Sequence, residues 1–162
     1  MHEKKAMTMS SVEHPASSSL AAQASGLLSG CRDRIANAAN LSALLFMALP
    51  DIHWAGFYFL QDDLLVLGPF QGKPACVTIP LGAGVCGTAA ATRITQRVAD
   101  VHAFVGHIAC DLDSRSEIVV PLIKNEQLVG VLDVDSPMQG RFSARDQDLL
   151  EVIARIYLAS IG

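Results

Sequence analysis

The amino-acid sequence predicts an α+β domain built on an antiparallel sheet. Apolar residues recur at helical spacing near both ends of the chain, and β-type segments joined by short polar connections lie between them. A length of 162 residues fits one domain that can bury a sizeable core. We expect the polar, serine-rich residues 1–17 to form a flexible tail and residues 18–162 to form the domain.

Helices are predicted at both ends of this domain. Apolar spacing indicates helices over residues 18–30 and 31–49, and Pro50 ends the second. Near the C-terminus, Ser143 begins a helix that continues through Ala159, with Asp146 placed to complete a capping box.

Six segments of β-type composition follow the second helix. They are residues 54–60, 64–70, 75–79, 95–99, 116–123 and 128–135. Short polar connections predict that the first two form one hairpin and the last two another. The alanine-rich residues 85–92 predict a short helix, and the long irregular segment 100–114 is typical of a functional loop.

Composition excludes several classes of function. A net charge of −4 and a pI near 5.6 give no basic field for nucleic acid. No run approaches the ~18–20 apolar residues of a membrane span, and the N-terminus lacks the apolar core of a secretory signal. We therefore expect a cytoplasmic protein with reduced cysteines. With 51% hydrophobic and only 17% charged residues, we expect a compact globule, and a homodimer is one way to cover part of its surface.

Three of the four cysteines lie in one glycine-punctuated apolar stretch, as Cys76, Cys86 and Cys110. A cysteine among apolar residues is usually inert, and this interpretation suits Cys31 on the predicted second helix. Cys86 falls at a possible helix N-terminus, which would lower its pKa. A zinc site formed by the three cysteines and His107 is the alternative, but structural zinc sites usually use closely spaced cysteine pairs.

Carboxylates interrupt the second predicted hairpin. Strand alternation places Val129, Val131, Asp133 and Asp135 on one face, where paired acids either mark a solvated edge or hold a cation such as an amino acid's ammonium group. Metal binding is a weaker alternative, because no third oxygen-rich segment is present. Glu117 begins the other strand, either as an ion-pair partner or as a general acid whose pKa burial raises.

The register of this hairpin decides whether the acids meet. Directly opposed residues of an antiparallel pair point the same way, so Glu117 can face Asp135 only if the connection holds an odd number of residues. A two-residue turn at Asn125 and Glu126 would send Glu117 to the opposite sheet face.

Several segments also carry a family resemblance. They are Trp54–Tyr58, Leu67–Cys76, Gly84–Ala90, Asp100–Phe104, Gly106–Cys110, and the acidic residues Glu117, Asp133 and Asp135. With these segments the chain resembles the free methionine-(R)-sulfoxide reductases, a catalytic branch of the GAF-domain superfamily, over roughly residues 27–160. Val105, Ala83 and Leu112-Asp113 depart from the family pattern and touch the loops around the expected site.

The resemblance implies a GAF-like six-stranded antiparallel sheet, with N- and C-terminal helices on one face and a ligand pocket on the other. It also implies reduction of free L-methionine (R)-S-oxide without a bound cofactor or metal. Cys110 would attack as the thiolate, Glu117 would protonate the departing oxygen, and Cys76 would resolve the sulfenic acid. Cys86 would be an auxiliary resolver, and thioredoxin would reduce the resulting disulfide.

The resemblance further implies how the substrate is held. Asp133 and Asp135 would take its ammonium group, and backbone amides of residues 82–88 and 106–110 its carboxylate. Trp54 and Tyr58 lie on one strand face, where aromatic residues usually belong to the core; here they would also box the methylthio group.

A non-enzymatic GAF module, either binding a ligand such as a cyclic nucleotide or sensing thiol redox state, is the alternative function. Such modules normally accompany an output domain, for which 162 residues leave no room. Three thiols around the pocket also favour the enzyme.

Overall fold

A computed structural model describes residues 15–162, which form four α-helices, six strands and a short 3₁₀ turn over Val101–Ala103. The helices and strands are α1 (Pro15–Leu27), α2 (Arg34–Ala48), β1 (Trp54–Gln61), β2 (Leu64–Gly72), β3 (Thr78–Pro80), α3 (Gly84–Thr92), β4 (Gln96–Val98), β5 (Ser116–Lys124), β6 (Gln127–Ser136) and α4 (Ala144–Ser160).

The six strands form one antiparallel sheet in the order β3-β2-β1-β6-β5-β4. The first and second hairpins meet at its centre, where Trp54 of β1 pairs with Asp135 of β6. This architecture confirms the predicted α+β class and the six-stranded antiparallel sheet.

Strand alternation divides the buried side chains between the two sheet faces. Along β1, Ala55, Phe57 and Phe59 belong to one buried cluster with residues of α1, α2 and α4, and we call this side the helix-side core. Trp54 and Tyr58 point the other way, into a second cluster with α3. The N- and C-terminal helices therefore cover one face, as expected, and the opposite face is left to α3 and the connecting loops.

The helix boundaries differ from the predicted ones where caps decide them. The side chain of Asp33 accepts hydrogen bonds from the N–H groups of Ile35 and Ala36, so α2 begins at Arg34. Cys31 consequently lies in the turn before α2, not on the helix as predicted. Helix α1 begins at Pro15, and the rest of the predicted 1–17 tail lies outside the described residues. The Ser143–Asp146 capping box is confirmed.

A β-bulge sets the register of the second hairpin. The turn has two residues, Asn125 and Glu126, so Lys124 pairs with Gln127. One residue of β6 is then skipped between the Ile123–Leu128 and Leu122–Gly130 pairs, and beyond this point Glu117 lies opposite Asp135. We expected a turn with an even number of residues to place Glu117 on the face opposite the aspartates. This expectation is wrong, because the bulge shifts the pairing by one residue and returns Glu117 to their face.

The skipped residue is Val129, and it changes face. Val129 packs against the helix-side core, whereas Val131 belongs to the α3 side, so the two valines do not share a face as predicted. The next residue must be glycine, because a Cβ on Gly130 would lie 2.1 Å from the carbonyl oxygen of Tyr58. Strand β1 therefore fixes where the bulge can lie.

Strands β3 and β4 are shorter than predicted, with three residues each. Ala75 and Cys76, assigned to β3 from the sequence, instead border the cavity described below. Across residues 15–162, no helix combines the length and apolar character needed to cross a bilayer.

Candidate active site

A cavity on the α3 face of the sheet brings most of the predicted site residues together. Its walls come from β1, the segment before β3, the start of α3, the 107–114 loop and the acidic ends of β5 and β6. Seven of the eight predicted residues line it: Trp54, Tyr58, Cys86, Cys110, Glu117, Asp133 and Asp135. The eighth, Cys76, is joined to the cavity wall by a disulfide with Cys110.

The disulfide connects the two loops at the cavity mouth. Cys76 and Cys110 have a Cα–Cα distance of 5.4 Å, and both are half-buried. The same loops also meet through Lys73, whose Nζ lies 2.6 Å from a carboxylate oxygen of Asp113 and 4.0 Å from one of Asp111. The alternative zinc site cannot form in this oxidised state, because two of its four ligands, Cys76 and Cys110, are bonded to each other.

The aromatic pair holds the Cys76 segment in place. The hydroxyl of Tyr58 donates to the carbonyl of Cys76 at 2.9 Å, and Nε1 of Trp54 donates to the carbonyl of Lys73 at 3.1 Å. Their rings stack with centroids 6.0 Å apart. Sequence reasoning missed this anchoring, although buried Trp and Tyr generally require a hydrogen-bond partner for their polar ends.

Three carboxyl groups line the cavity together: those of Glu117 and Asp133 are buried, and that of Asp135 is half-buried. Burial, and then repulsion from Asp133 and Asp135, raises the pKa of Glu117 well above its usual range. Burial raises the pKa of Asp133 to about 6, and burial together with Asp133 raises the pKa of Asp135. One oxygen of Asp133 is buried without a hydrogen-bond partner in the described part of the chain. The ion pairs found in residues 15–162 involve none of these acids.

Cys86 is a protonated thiol beside these acids. Its Sγ donates to Oε1 of Glu117 at 3.7 Å, and its side chain is buried. Burial, followed by the charges of Asp133 and Glu117, raises the pKa of Cys86 well above its usual value. The predicted lowering at a helix N-terminus is therefore wrong: Cys86 does lie in the first turn of α3, but desolvation and neighbouring acids outweigh the helix dipole.

The N-terminus of α3 opens onto the cavity. Its N-cap is Ala83, which has no side chain able to accept a hydrogen bond from the first N–H groups. Gly84 has a positive φ of 61°, and a Cβ there would meet Ile108 at 3.3 Å. The 106–110 segment and the start of α3 therefore lie against each other. The first N–H groups of α3 can bind an anion, whereas in the 106–110 segment those of His107 and Cys110 already donate to the carbonyls of Phe104 and Ile108.

The acids and Cys86 also satisfy the geometry of a cation site. Ligand atoms of Cys86, Glu117 and Asp133 lie within 4.8 Å of one another. This group differs from the zinc set considered from the sequence. Burial of several acids without a counter-charge indicates that the cavity favours a cation, and an ammonium group meets the requirement as a metal would.

We expect Asp133→Asn to stabilise the ligand-free protein, because the substitution removes an acid that burial disfavours in its charged form. A carboxyl whose pKa rises from 3.8 to about 6 on folding lowers stability as pH increases across that interval. At pH 7.5 we expect the unfolding free energy to increase by about 1–3 kcal/mol, a rise in melting temperature of roughly 3–10 °C. Calorimetry at pH 4 and pH 7.5 tests this, and Asp62→Asn, at an exposed turn residue, is the control. A lower melting temperature at pH 7.5 would contradict the expectation.

Comparison with known proteins agrees with the fold. Residues 24–159 match the GAF domain family. The free methionine-R-sulfoxide reductase of Escherichia coli K12 is 57% identical over 131 residues, which cover 80% of this chain and 79% of that protein. The reductase of the same name from Saccharomyces cerevisiae is 46% identical over 139 residues, 81% of this chain and 77% of that one.

A solved structure adds the three-dimensional comparison. The fRMsr of Staphylococcus aureus in complex with its substrate superposes with a TM-score of 0.87 at 48% identity, covering 94% of this chain and 100% of the other. The chain therefore belongs to the GAF-domain family and, within it, to the free methionine-R-sulfoxide reductases, which are oxidoreductases.

Proposed function

We propose that this protein reduces free L-methionine (R)-S-oxide to methionine by cysteine thiol chemistry. The observation that carries the proposal is a cavity at which a disulfide and three acids, two of them buried, lie together. A disulfide is the oxidised product that thiol-based sulfoxide reduction leaves behind, and the acids offer both a proton donor and a cation site. The resemblance of the chain to named reductases supports the same conclusion.

Each end of the substrate has a partner of suitable chemistry. The ammonium group would bind Asp133 and Asp135, whose pKa values are raised chiefly by burial. The carboxylate would accept hydrogen bonds from backbone amides at the start of α3 and in the 106–110 segment. The methylthio group would contact the stacked rings of Trp54 and Tyr58. Binding both charged ends would exclude methionine sulfoxide within a peptide chain.

The chemistry proceeds in two steps before recycling. In the first, the Cys110 thiolate attacks the sulfoxide sulfur while Glu117 protonates the oxygen, so that methionine leaves and the oxygen remains on Cys110 as a sulfenic acid. In the second, the Cys76 thiol attacks that sulfenic sulfur, forms the disulfide and releases water. In the oxidised state the Cα–Cα distance between the two cysteines is 5.4 Å, within the usual range for a disulfide.

Cys86 is proposed as the auxiliary resolver. Its thiol lines the same cavity as Cys110, but its raised pKa makes it a weak nucleophile at neutral pH. It would therefore act chiefly when Cys76 is absent, and otherwise donate its hydrogen bond to Glu117.

Recycling requires electrons from outside the chain. We propose thioredoxin, or a similar dithiol, as the donor, with no cofactor bound to the protein and the reaction placed in the cytoplasm, where thiols are kept reduced. We also propose a homodimer, which would cover exposed apolar side chains of α1 and α2 such as Leu27, Ile35 and Met47.

The decisive experiment measures NADPH consumption with a bacterial thioredoxin and its reductase, comparing free R, free S and N-acetylated methionine sulfoxides. We expect turnover of the free R epimer alone, because the N-acetyl group removes the ammonium charge and the S epimer misplaces the oxygen relative to Glu117. Equal turnover of the N-acetylated substrate would exclude the Asp133–Asp135 ammonium site. Equal turnover of the S epimer would exclude the proposed stereochemistry.

A thiol redox sensor is the second candidate, because the same disulfide would report oxidation directly. The two candidates differ in stoichiometry with the reduced protein. A sensor oxidised by peroxide releases no methionine from methionine sulfoxide, whereas the reductase releases one equivalent as each disulfide forms.

A further inference from the structure

Exposed apolar side chains concentrate around the disulfide. Among residues 15–162, eleven large hydrophobic side chains are exposed, and four of them lie in the two cysteine-bearing segments. We call these four, Val77, Val105, Ile108 and Leu112, the apolar rim. Val105 is 95% exposed and Leu112 is 81% exposed, which is high for side chains of this kind. Single exposed hydrophobic residues are ordinary, but a group of them around one reactive bond is not.

The rim residues are close in sequence to the two bonded cysteines. Val77 directly follows Cys76, while Ile108 and Leu112 lie two residues before and after Cys110. Residues two apart are at most ~7 Å from each other, and the two cysteine Cα atoms are 5.4 Å apart. These side chains therefore lie within a short distance of the disulfide on several sides. Val105 extends the rim along the same loop.

The rim does not belong to the core beneath it. Ala75, Cys76 and Phe104, which neighbour rim residues in the chain, pack against the α3-side cluster, whereas Val77, Val105 and Leu112 are largely exposed and Ile108 borders the cavity beside Gly84. Among the nearby charges, Lys73 contacts both Asp111 and Asp113, so this group keeps a single negative charge. The rim itself adds no charge to the surface next to the disulfide.

A half-buried disulfide restricts how it can be reduced. An attacking thiolate must reach one sulfur of the Cys76–Cys110 bond, form a mixed disulfide and release the other sulfur as a thiol. A protein can bring its thiol there only by seating its own surface on the surrounding loops. Weak redox encounters use patches below ~1,200 Å², with apolar contacts at their centre.

We propose that the apolar rim is the docking surface for the protein dithiol that reduces the Cys76–Cys110 disulfide. This inference rests on the proposed function, because only a catalytic disulfide needs repeated reduction. The partner's first thiol opens the disulfide, and its second thiol then breaks the mixed disulfide. Two thiols remain on this protein and a disulfide on the partner, so electrons and protons balance. The partner surface around its own thiols would be apolar and nearly neutral.

The test compares a protein reductant with a small one. Oxidised protein is mixed with reduced bacterial thioredoxin or with dithiothreitol, and the appearance of the Cys76 and Cys110 thiols is followed by alkylation and mass spectrometry. For the Val105→Ser/Leu112→Ser variant, and separately for Val77→Ser, we expect the second-order rate constant with thioredoxin to fall by about tenfold. The rate with dithiothreitol should stay within about twofold, because a small molecule needs no docking surface.

Matched controls come from exposed apolar residues far from the disulfide in the chain. Ile94→Ser and Met138→Ser, at positions 64% and 49% exposed, should leave both rates unchanged. An unchanged thioredoxin rate in both rim variants would overturn the proposal, and so would an equal fall with dithiothreitol. The assay needs no methionine sulfoxide, so a protein that reduces no sulfoxide would contradict the proposed function without altering this result.

Discussion

Cys110→Ser should release no methionine, even in a single turnover of fully reduced protein. A serine hydroxyl is not ionised at neutral pH and is a far weaker nucleophile than a thiolate, so nothing attacks the sulfoxide sulfur. Reduced protein is mixed with a slight excess of the R epimer in the absence of external thiol, and free methionine is measured by chromatography. Methionine release near one equivalent would assign the attack to another cysteine.

Cys76→Ser separates attack from resolution. This variant should still release about one equivalent of methionine, because attack at Cys110 precedes disulfide formation. It should then stop with one added oxygen on Cys110, detectable by mass spectrometry after trapping with a sulfenic-acid reagent. Slow appearance of a Cys86–Cys110 disulfide would reveal the auxiliary route.

Two further measurements complete the assignment of the thiols. Cys31→Ser should behave like the parent, because Cys31 lies in the turn between α1 and α2, whose residues do not line the cavity. In the parent protein, mass spectrometry after one turnover should find the Cys76–Cys110 link that the structure contains. A dominant Cys86–Cys110 link there would remove Cys76 from its proposed role.

The fold was predictable where local rules act alone. The existence of the terminal helices, the strands and the Ser143–Asp146 capping box each depends on a few neighbouring residues, and the structure confirms them. The order of the strands was available only through the family resemblance. Alternation shows which residues share a face of one strand, but it does not show which strand lies beside which.

The bulge at Val129 shows why register could not be derived from the turn. Counting residues from Asn125 and Glu126 predicts the wrong pairing for Glu117, because one skipped residue reverses the parity. The reason for the skip lies in another strand, where the carbonyl of Tyr58 leaves no room for a side chain at Gly130. A contact between distant segments thus decides which face of the sheet receives the acid.

The pKa shifts of the site could not be predicted from the sequence either. A position in the first turn of α3 indicates a lowered pKa for Cys86, yet full burial beside Glu117 and Asp133 raises it. The residue types and their grouping at one pocket followed from the motifs, but the direction of a pKa depends on solvent exclusion and on distances between segments. The anchoring of the Cys76 carbonyl by Tyr58 is hidden for the same reason.

Asp135→Asn should affect substrate binding more than the chemical step. The ammonium group of the substrate carries its charge in both the ground state and the transition state, so losing its partner weakens both about equally. We expect KM for the free R epimer to rise strongly while kcat changes much less. Steady-state kinetics with thioredoxin in excess provide both constants. A fall in kcat with an unchanged KM would assign Asp135 to proton transfer instead.

Glu117→Gln should do the opposite and lower kcat by ~10²–10⁴-fold, the usual cost of losing general acid assistance. Burial beside Asp133 and Asp135 raises the pKa of Glu117, so the carboxyl retains its proton at higher pH than an exposed glutamate and can give it to the departing oxygen. The parent's kcat should therefore fall as pH rises through that raised pKa, and the variant's residual kcat should lack this decline.

Structural damage is a poor explanation for such a loss, because glutamine keeps the size of the side chain and cannot ionise in its buried position. The melting temperature of Glu117→Gln should accordingly equal or exceed that of the parent at pH 7.5. Glu126→Gln, at an exposed turn residue of the same hairpin, is the matched control and should retain full kcat. If Glu117→Gln kept near-normal kcat, the proton would have to come from Asp133. Its pKa of about 6 and its position in the same cavity make it the next donor.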